Sequence, residues 1–183
     1  MKTKINIIQA IPTEAQFKTS THHLVVLDLA LSTYPLADVL KNKLKRTGKK
    51  LSDLIKAPVT TELDNGAMIS WVAYTPDLTA FRMHTLIRKA FHVIATEKPT
   101  ELNITFLPNN ISQTWVDACV YVCLANSEPL PNLKKEAKST PLKTLHLMGI
   151  QKCDLSKTIA LVNGNTLTRQ LTITPPNDLT PSI

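Results

Sequence analysis

Glycine is nearly missing from this chain: four residues in 183, Gly48, Gly66, Gly149 and Gly164, lie far apart in sequence. A loop that cradles phosphate needs glycines close together so that backbone amides can wrap the anion, so a nucleotide cofactor held in that way is excluded. Cysteine is sparse and odd in number. Cys119, Cys123 and Cys153 show no Cys-x-x-Cys spacing, which argues against a disulfide framework or a structural zinc site and for small apolar core residues. Long apolar runs are lacking too. The longest, residues 115–125, is broken by Asp117 and falls short of the ~20 apolar residues that cross a bilayer. The N-terminal residues carry two lysines and a short apolar stretch, without the long hydrophobic region and cleavage site of a secretory signal. A cytoplasmic protein without membrane association is expected.

The residue patterns that catalysis needs are also missing. There is no His-Glu-x-x-His and no Gly-x-Ser-x-Gly, and the five histidines do not fall into metal-ligand spacings. His22 and His23 are neighbours and would face opposite sides of a strand. His84 and His92 fall on one predicted helix and His146 on a predicted strand, with no acidic partner beside them in sequence, so they read as ordinary polar histidines. Asp28, inside an apolar run, marks either the end of a strand or a buried functional carboxylate. No catalytic or metal-ligating residue is assigned.

What is there describes one globular domain with a tail. Apolar residues make up 43% and charged residues 19%, the balance of a folded protein of ordinary domain size. Twenty-one basic against 14 acidic residues leave a net charge of +7. The densest basic cluster is Lys41, Lys43, Lys45, Arg46, Lys49 and Lys50, with a weaker one at Lys134, Lys135, Lys138 and Lys143. The first is a solvated helix end, where cations complement the helix dipole, or a contact surface for nucleic acid. No aromatic residue is interleaved with those lysines to stack bases.

Periodicity predicts an α/β fold, a mixed sheet of about six strands flanked by helices. Strands are expected at residues 5–8, 23–29, 101–107 and 144–150. Leu36, Leu40 and Leu44 recur every fourth residue from Pro35 and predict a helix ending at Gly48. Residues 58–63 and 67–74 flank Asp64-Asn65-Gly66, a tight hairpin signal in which Asn65 and Gly66 would both take positive φ. Residues 79–96 form an amphipathic helix with Met83, Ile87, Ala90 and Ile94 inward. Asn110 and Gln113 resemble a capping pair before an all-round apolar helix over 115–124. Such a helix is covered on both sides, within its own domain or by a second domain or subunit. A last helix runs from Asp154 or Ser156, as caps, to Leu171, with Ile159, Val162 or Asn163, Leu167 and Leu171 along one face. Gly164 within it marks close packing or a weak point. Residues 1–150 are read as the α/β domain and 151–183 as a linking helix and junction.

The segment from Gly164 to Pro181 reads GNTLTRQLTITPPNDLTP. It resembles the domain junction of leucyl aminopeptidases, where a helix ending in a Leu-Ala-Arg-Asp-Leu-like stretch runs into Asn-Thr-Pro-Pro-Asn and Leu-Thr-Pro. The matching positions are Leu167, Arg169, Leu171, Thr174, Pro175, Pro176, Asn177, Leu179, Thr180 and Pro181; Thr168, Gln170 and Ile173 depart from the family pattern. Two successive prolines donate no backbone hydrogen bond and force Thr174 out of helical geometry, so a stiff extended connector follows the helix. The resemblance implies a macro domain-like N-terminal domain without catalytic groups of its own. It would be joined to a C-terminal catalytic domain in which two divalent metal ions, zinc or manganese, activate water to remove N-terminal residues from peptides. It further implies assembly into a hexamer and, in some relatives, DNA binding. By this reading the 183 residues hold no cofactor and are inactive alone, with Arg169, Thr174, Pro175, Pro176 and Asn177 forming the junction. The alternative is a basic nucleic-acid-binding module using the Lys41–Lys50 cluster.

Overall fold

The computed structural model describes residues 3–108, 110–128 and 141–174. Within them lie six strands: β1 (Lys4–Ile8), β2 (His22–Leu27), β3 (Val59–Glu62), β4 (Met68–Ala73), β5 (Glu101–Phe106) and β6 (Thr144–Met148). Five helices accompany them: α1 (Glu14–Phe17), α2 (Ala37–Arg46), α3 (Ala80–Ala95), α4 (Gln113–Ser127) and α5 (Ser156–Ile173), with a 3-10 helix at Leu51–Ile55. The sheet order is β1-β6-β5-β2-β4-β3. All neighbours are parallel except β3, which pairs antiparallel with β4 at one edge. The fold is the expected α/β arrangement with a six-stranded mixed sheet.

Strand alternation sends side chains to two separate cores. Leu24 and Val26 of β2, Leu102, Ile104 and Phe106 of β5, and Leu145 and Leu147 of β6 pack under α3 and α4. Val25 and Leu27 of β2 and Ile69, Trp71 and Ala73 of β4 pack against α2 and the 3-10 helix on the other face. Full burial of side chains of this size contributes about 1.5–3 kcal/mol each before conformational entropy is set against it. The apolar helix α4 is covered within the domain: α3 lies on one side, α5 on the other, and Trp115, Val116, Cys119, Val120 and Cys123 are buried.

Several local expectations need correction. The hairpin forms, but only Gly66 takes positive φ (81°). Its amide donates to Leu63 O at 2.8 Å and Leu63 N donates to Ala67 O at 2.9 Å, the pattern of a three-residue loop whose last residue is left-handed. Leu36 does not lie on the α2 face; it precedes the helix in left-handed geometry with φ 61° and is buried there, its amide bonded to Glu14 Oε1 at 3.0 Å. The Asn110–Gln113 capping pair is absent: α4 starts after Ser112, and Gln113 donates to Asp117 Oδ1 instead. Asp28 lies past the end of β2 and accepts the Ala30 amide at 2.9 Å, the strand-end role.

The last helix departs most. Thr158 and Val162 are its only buried residues, while Leu161, Leu167 and Leu171 are half or more exposed, at 57%, 56% and 50%. Three leucines are therefore left without cover among the described residues. Neither expected cap closes the helix by itself: Leu155 precedes it, and Asp154 accepts the Ser156 amide at 2.9 Å in a local turn. A Cβ built on Gly164 would meet no atom within 4 Å, so this glycine is a weak point of the helix and not a close contact.

Candidate functional site

Of the junction residues, Arg169 and Thr174 are described and Pro175, Pro176 and Asn177 lie outside the described residues. Arg169 reaches across from α5 and donates from its guanidinium to Ala125 O in the last turn of α4. Thr174 closes α5, its amide bonded to Gln170 O at 3.0 Å and its backbone extended at φ −67°, ψ 126°. That extended geometry is the one a following proline demands.

The basic cluster spans α2 and the turn after it. Lys41, Lys43, Lys45 and Arg46 belong to α2, and Lys49 and Lys50 follow Gly48 in the turn after it. Lys43 is half-buried, the other five are exposed, and among the described residues none of the six makes an ion pair. Lys143 leads into β6; the other members of the weaker cluster lie outside the described residues.

Register brings together polar residues that lie far apart in sequence. Asn6 of β1, His146 of β6, Asn103 of β5 and His23 of β2 occupy one row across four parallel strands, on the face away from α3 and α4. Asn6 Nδ2 lies 3.4 Å from His146 Nδ1. His23 Nε2 lies 3.1 Å from both Phe17 O and Ser20 O. Carbonyls only accept, so Nε2 carries the proton and Nδ1 is the bare lone pair, buried without a partner. Burial first of all holds the His23 pKa below 6.5, against the opposing pull of those two carbonyls. His22 points to the opposite side. Its Nε2 donates to Glu97 Oε2 at 2.7 Å, tying the start of β2 to the residues after α3. No spacing in the chain signals that pair, since the partners are 75 residues apart.

Cys119 and Cys123 are fully buried, and burial pushes both thiols well up, so neither is a thiolate at neutral pH. Among the described residues no group of three or more His, Cys, Asp or Glu is close enough to hold a metal ion. No described helix is long and apolar enough to cross a membrane.

Two depressions have the setting of binding sites. A polar crevice of roughly 540 Å³ lies outside the carboxyl ends of β1, β5 and β6, where ligands of α/β proteins commonly bind, and is lined by Asn110, Gln113, Gly149 and Lys152 among others. Gly149, at φ 79°, is required there because a Cβ would lie 2.3 Å from Phe106 O. One glycine does not make a phosphate loop. An apolar groove of roughly 360 Å³ runs beside α5 between Ile5, Leu124, Ile159, Val162 and Leu167. Of the exposed leucines of α5, Leu167 borders it.

No family model matches this chain, and no curated protein sequence matches it. Solved structures do. A mutant of tomato leucine aminopeptidase superposes with a TM-score of 0.64, covering 98% of this chain and 40% of its own, at 16% identity. The bottromycin maturation enzyme BotP in complex with Mn superposes with a TM-score of 0.55, covering 87% of this chain and 33% of its own, at 13% identity. At such identities the likeness is one of fold, and this chain spans well under half of either protein.

Proposed function

We propose that this chain is the non-catalytic N-terminal domain of a leucyl aminopeptidase-type metallopeptidase, a cytoplasmic hydrolase that removes N-terminal residues from peptides. The chemistry belongs to a C-terminal catalytic domain carrying two divalent metal ions, zinc or manganese, and the domain described here serves assembly, as a hexamer, and access to the active site. The observation that carries this reading is the superposition of nearly the whole chain on a minor part of a leucine aminopeptidase. The uncovered leucines of α5 add to it. Exposed apolar side chains grouped along one helix are suited to being covered by a partner.

Sequencing the gene downstream of Ile183 tests the proposal: a domain rich in metal-binding carboxylates is expected. The longer product should hydrolyse leucine p-nitroanilide with added manganese, and the 183-residue chain should not. Hydrolysis by the 183-residue chain alone, or a natural stop codon at Ile183, overturns the reading.

The exposed cations of α2 and the turn after it support a second reading, a nucleic-acid contact surface using Lys41, Lys45, Arg46, Lys49 and Lys50. Binding to duplex DNA should then be measurable at low salt and fall steeply as salt rises. No binding at low salt removes it.

A further inference from the structure

The outer surface of α3 carries an exposed aromatic side chain in a cationic setting. Phe81, in the first turn, is 79% exposed, the most exposed large apolar side chain among the described residues. One groove runs from Phe81 between α3, α4 and α5, with a volume of roughly 380 Å³, within the size range of small-ligand sites. Arg88 of α3 and Arg169 of α5 line it, as do His84, Tyr121 and Asn165. A neighbouring depression shares Arg88 and adds Lys89 and His92. No Asp or Glu is among the described residues lining either one.

The polar groups of the groove are held in place but incompletely used. Arg169 spends one guanidinium donor on Ala125 O; a guanidinium has five, in a planar fork that matches phosphate. That bond and the one from Asn126 Nδ2 to Val122 O cover carbonyls of the last turns of α4, which would otherwise repel an anion. Asn165 donates from Nδ2 to Tyr121 Oη at 2.8 Å, and its Oδ1 is buried with no partner. His84 lies over Tyr121 with ring centroids 5.7 Å apart, and burial lowers its pKa, leaving it a neutral hydrogen-bonding wall at neutral pH.

We propose that this groove binds a small phosphate ester carrying a flat ring, of the mononucleotide class. Arg88 and Arg169 take the phosphate, and Phe81 provides the face on which the ring stacks. An ammonium ligand does not fit, because the described residues of the lining offer no carboxylate. The site is separate from the crevice at the strand ends and from the Lys41–Lys50 cluster, and it does not depend on the peptidase reading.

The test is titration of the 183-residue chain with AMP, followed by two-dimensional NMR, with adenosine and inorganic phosphate as separate probes. AMP should shift the signals of Arg88, Tyr121 and the Asn165 side-chain amide saturably. The affinity should fall roughly tenfold in Arg88→Gln and in Phe81→Ala, the loss expected for one charge-assisted contact or one stacked ring. Both residues are exposed, so both variants keep the fold. Adenosine alone should lose the dependence on Arg88, and phosphate alone the dependence on Phe81. No saturable shift with AMP, shifts confined to the strand-end crevice, or an affinity unchanged in both variants overturns the proposal.

Discussion

Thr158, in the first turn of α5, donates its hydroxyl proton to Asp117 Oδ1 of α4 at 2.7 Å. The same oxygen accepts from Gln113 Nε2 at 3.0 Å. Asp117 is the charge that interrupts the apolar run of α4, and the structure explains its presence: it fastens the start of α5 to the domain.

Removing that acceptor should loosen α5. Thr158 is 4% exposed, so Asp117→Ala leaves its hydroxyl buried without a partner, at a cost of about 1–3 kcal/mol. Asp117→Asn keeps an oxygen acceptor in place and should cost about 1 kcal/mol or less. Urea unfolding of both variants measures the difference. A double-mutant cycle with Thr158→Val isolates the pair, and additive losses would mean that the two residues act independently.

Three glycines should respond to alanine in three different ways, because φ and free space vary independently among them. Gly149 has φ 79° and no room, with Phe106 O 2.3 Å from the added Cβ; left-handed strain and the clash together should cost about 2–5 kcal/mol. Gly66 has φ 81° and open space, so only the backbone penalty of about 1–2 kcal/mol applies. Gly164 lies within α5 in open space, and alanine there should stabilise by about 0.5–1 kcal/mol. Thermal unfolding of the three variants checks the order Gly164→Ala above the parent, then Gly66→Ala, then Gly149→Ala.

The pH dependence should carry the signature of His23. Its folded pKa is lowered from 6.5, chiefly by burial, so the unfolded chain binds the proton more readily than the folded one. Stability is therefore full above about pH 6.5 and falls as the pH drops through 6.5 toward the lower folded value, where the loss levels off. Urea midpoints compared at about pH 8 and about pH 5 should show this decline. His23→Gln retains an N–H donor for Phe17 O but cannot titrate, so its decline should be shallower. A remainder should persist from His84, whose pKa is lowered in the same direction. An unchanged decline in His23→Gln would exclude His23 as the source.

How much of this was legible depends on whether the controlling contact is local. The Asn65-Gly66 turn and the four-residue spacing of Leu40 and Leu44 are local signals, and the hairpin and α2 stand where those signals put them. Whether Asn65 shares the positive φ depends on the loop being three residues long and not two, a choice made by the pairing of Leu63 with Ala67. The row of Asn6, His146, Asn103 and His23 arises from parallel pairing between strands distant in sequence, which periodicity within one strand does not encode. The α3–α4–α5 groove was missed for the same reason: Phe81, Arg88 and Arg169 share a surface only once three helices are packed.

The leucines of α5 separate a seam from an ordinary surface. Leu167 and Leu171 are half exposed or more, so Leu167→Ser and Leu171→Ser should change the stability of the 183-residue chain by no more than about 0.5 kcal/mol. In a longer protein whose next domain covers α5, the same substitutions place hydroxyls against an apolar partner. Hydrogen exchange along residues 156–173 should then accelerate, and proteolysis near residue 175 should become easier. If the partner is instead a second copy of this domain, sedimentation of the 183-residue chain should reveal a dimer that both substitutions abolish. Exchange unaltered in the longer protein, with a monomeric 183-residue chain, would mean that the exposed leucines dock nothing.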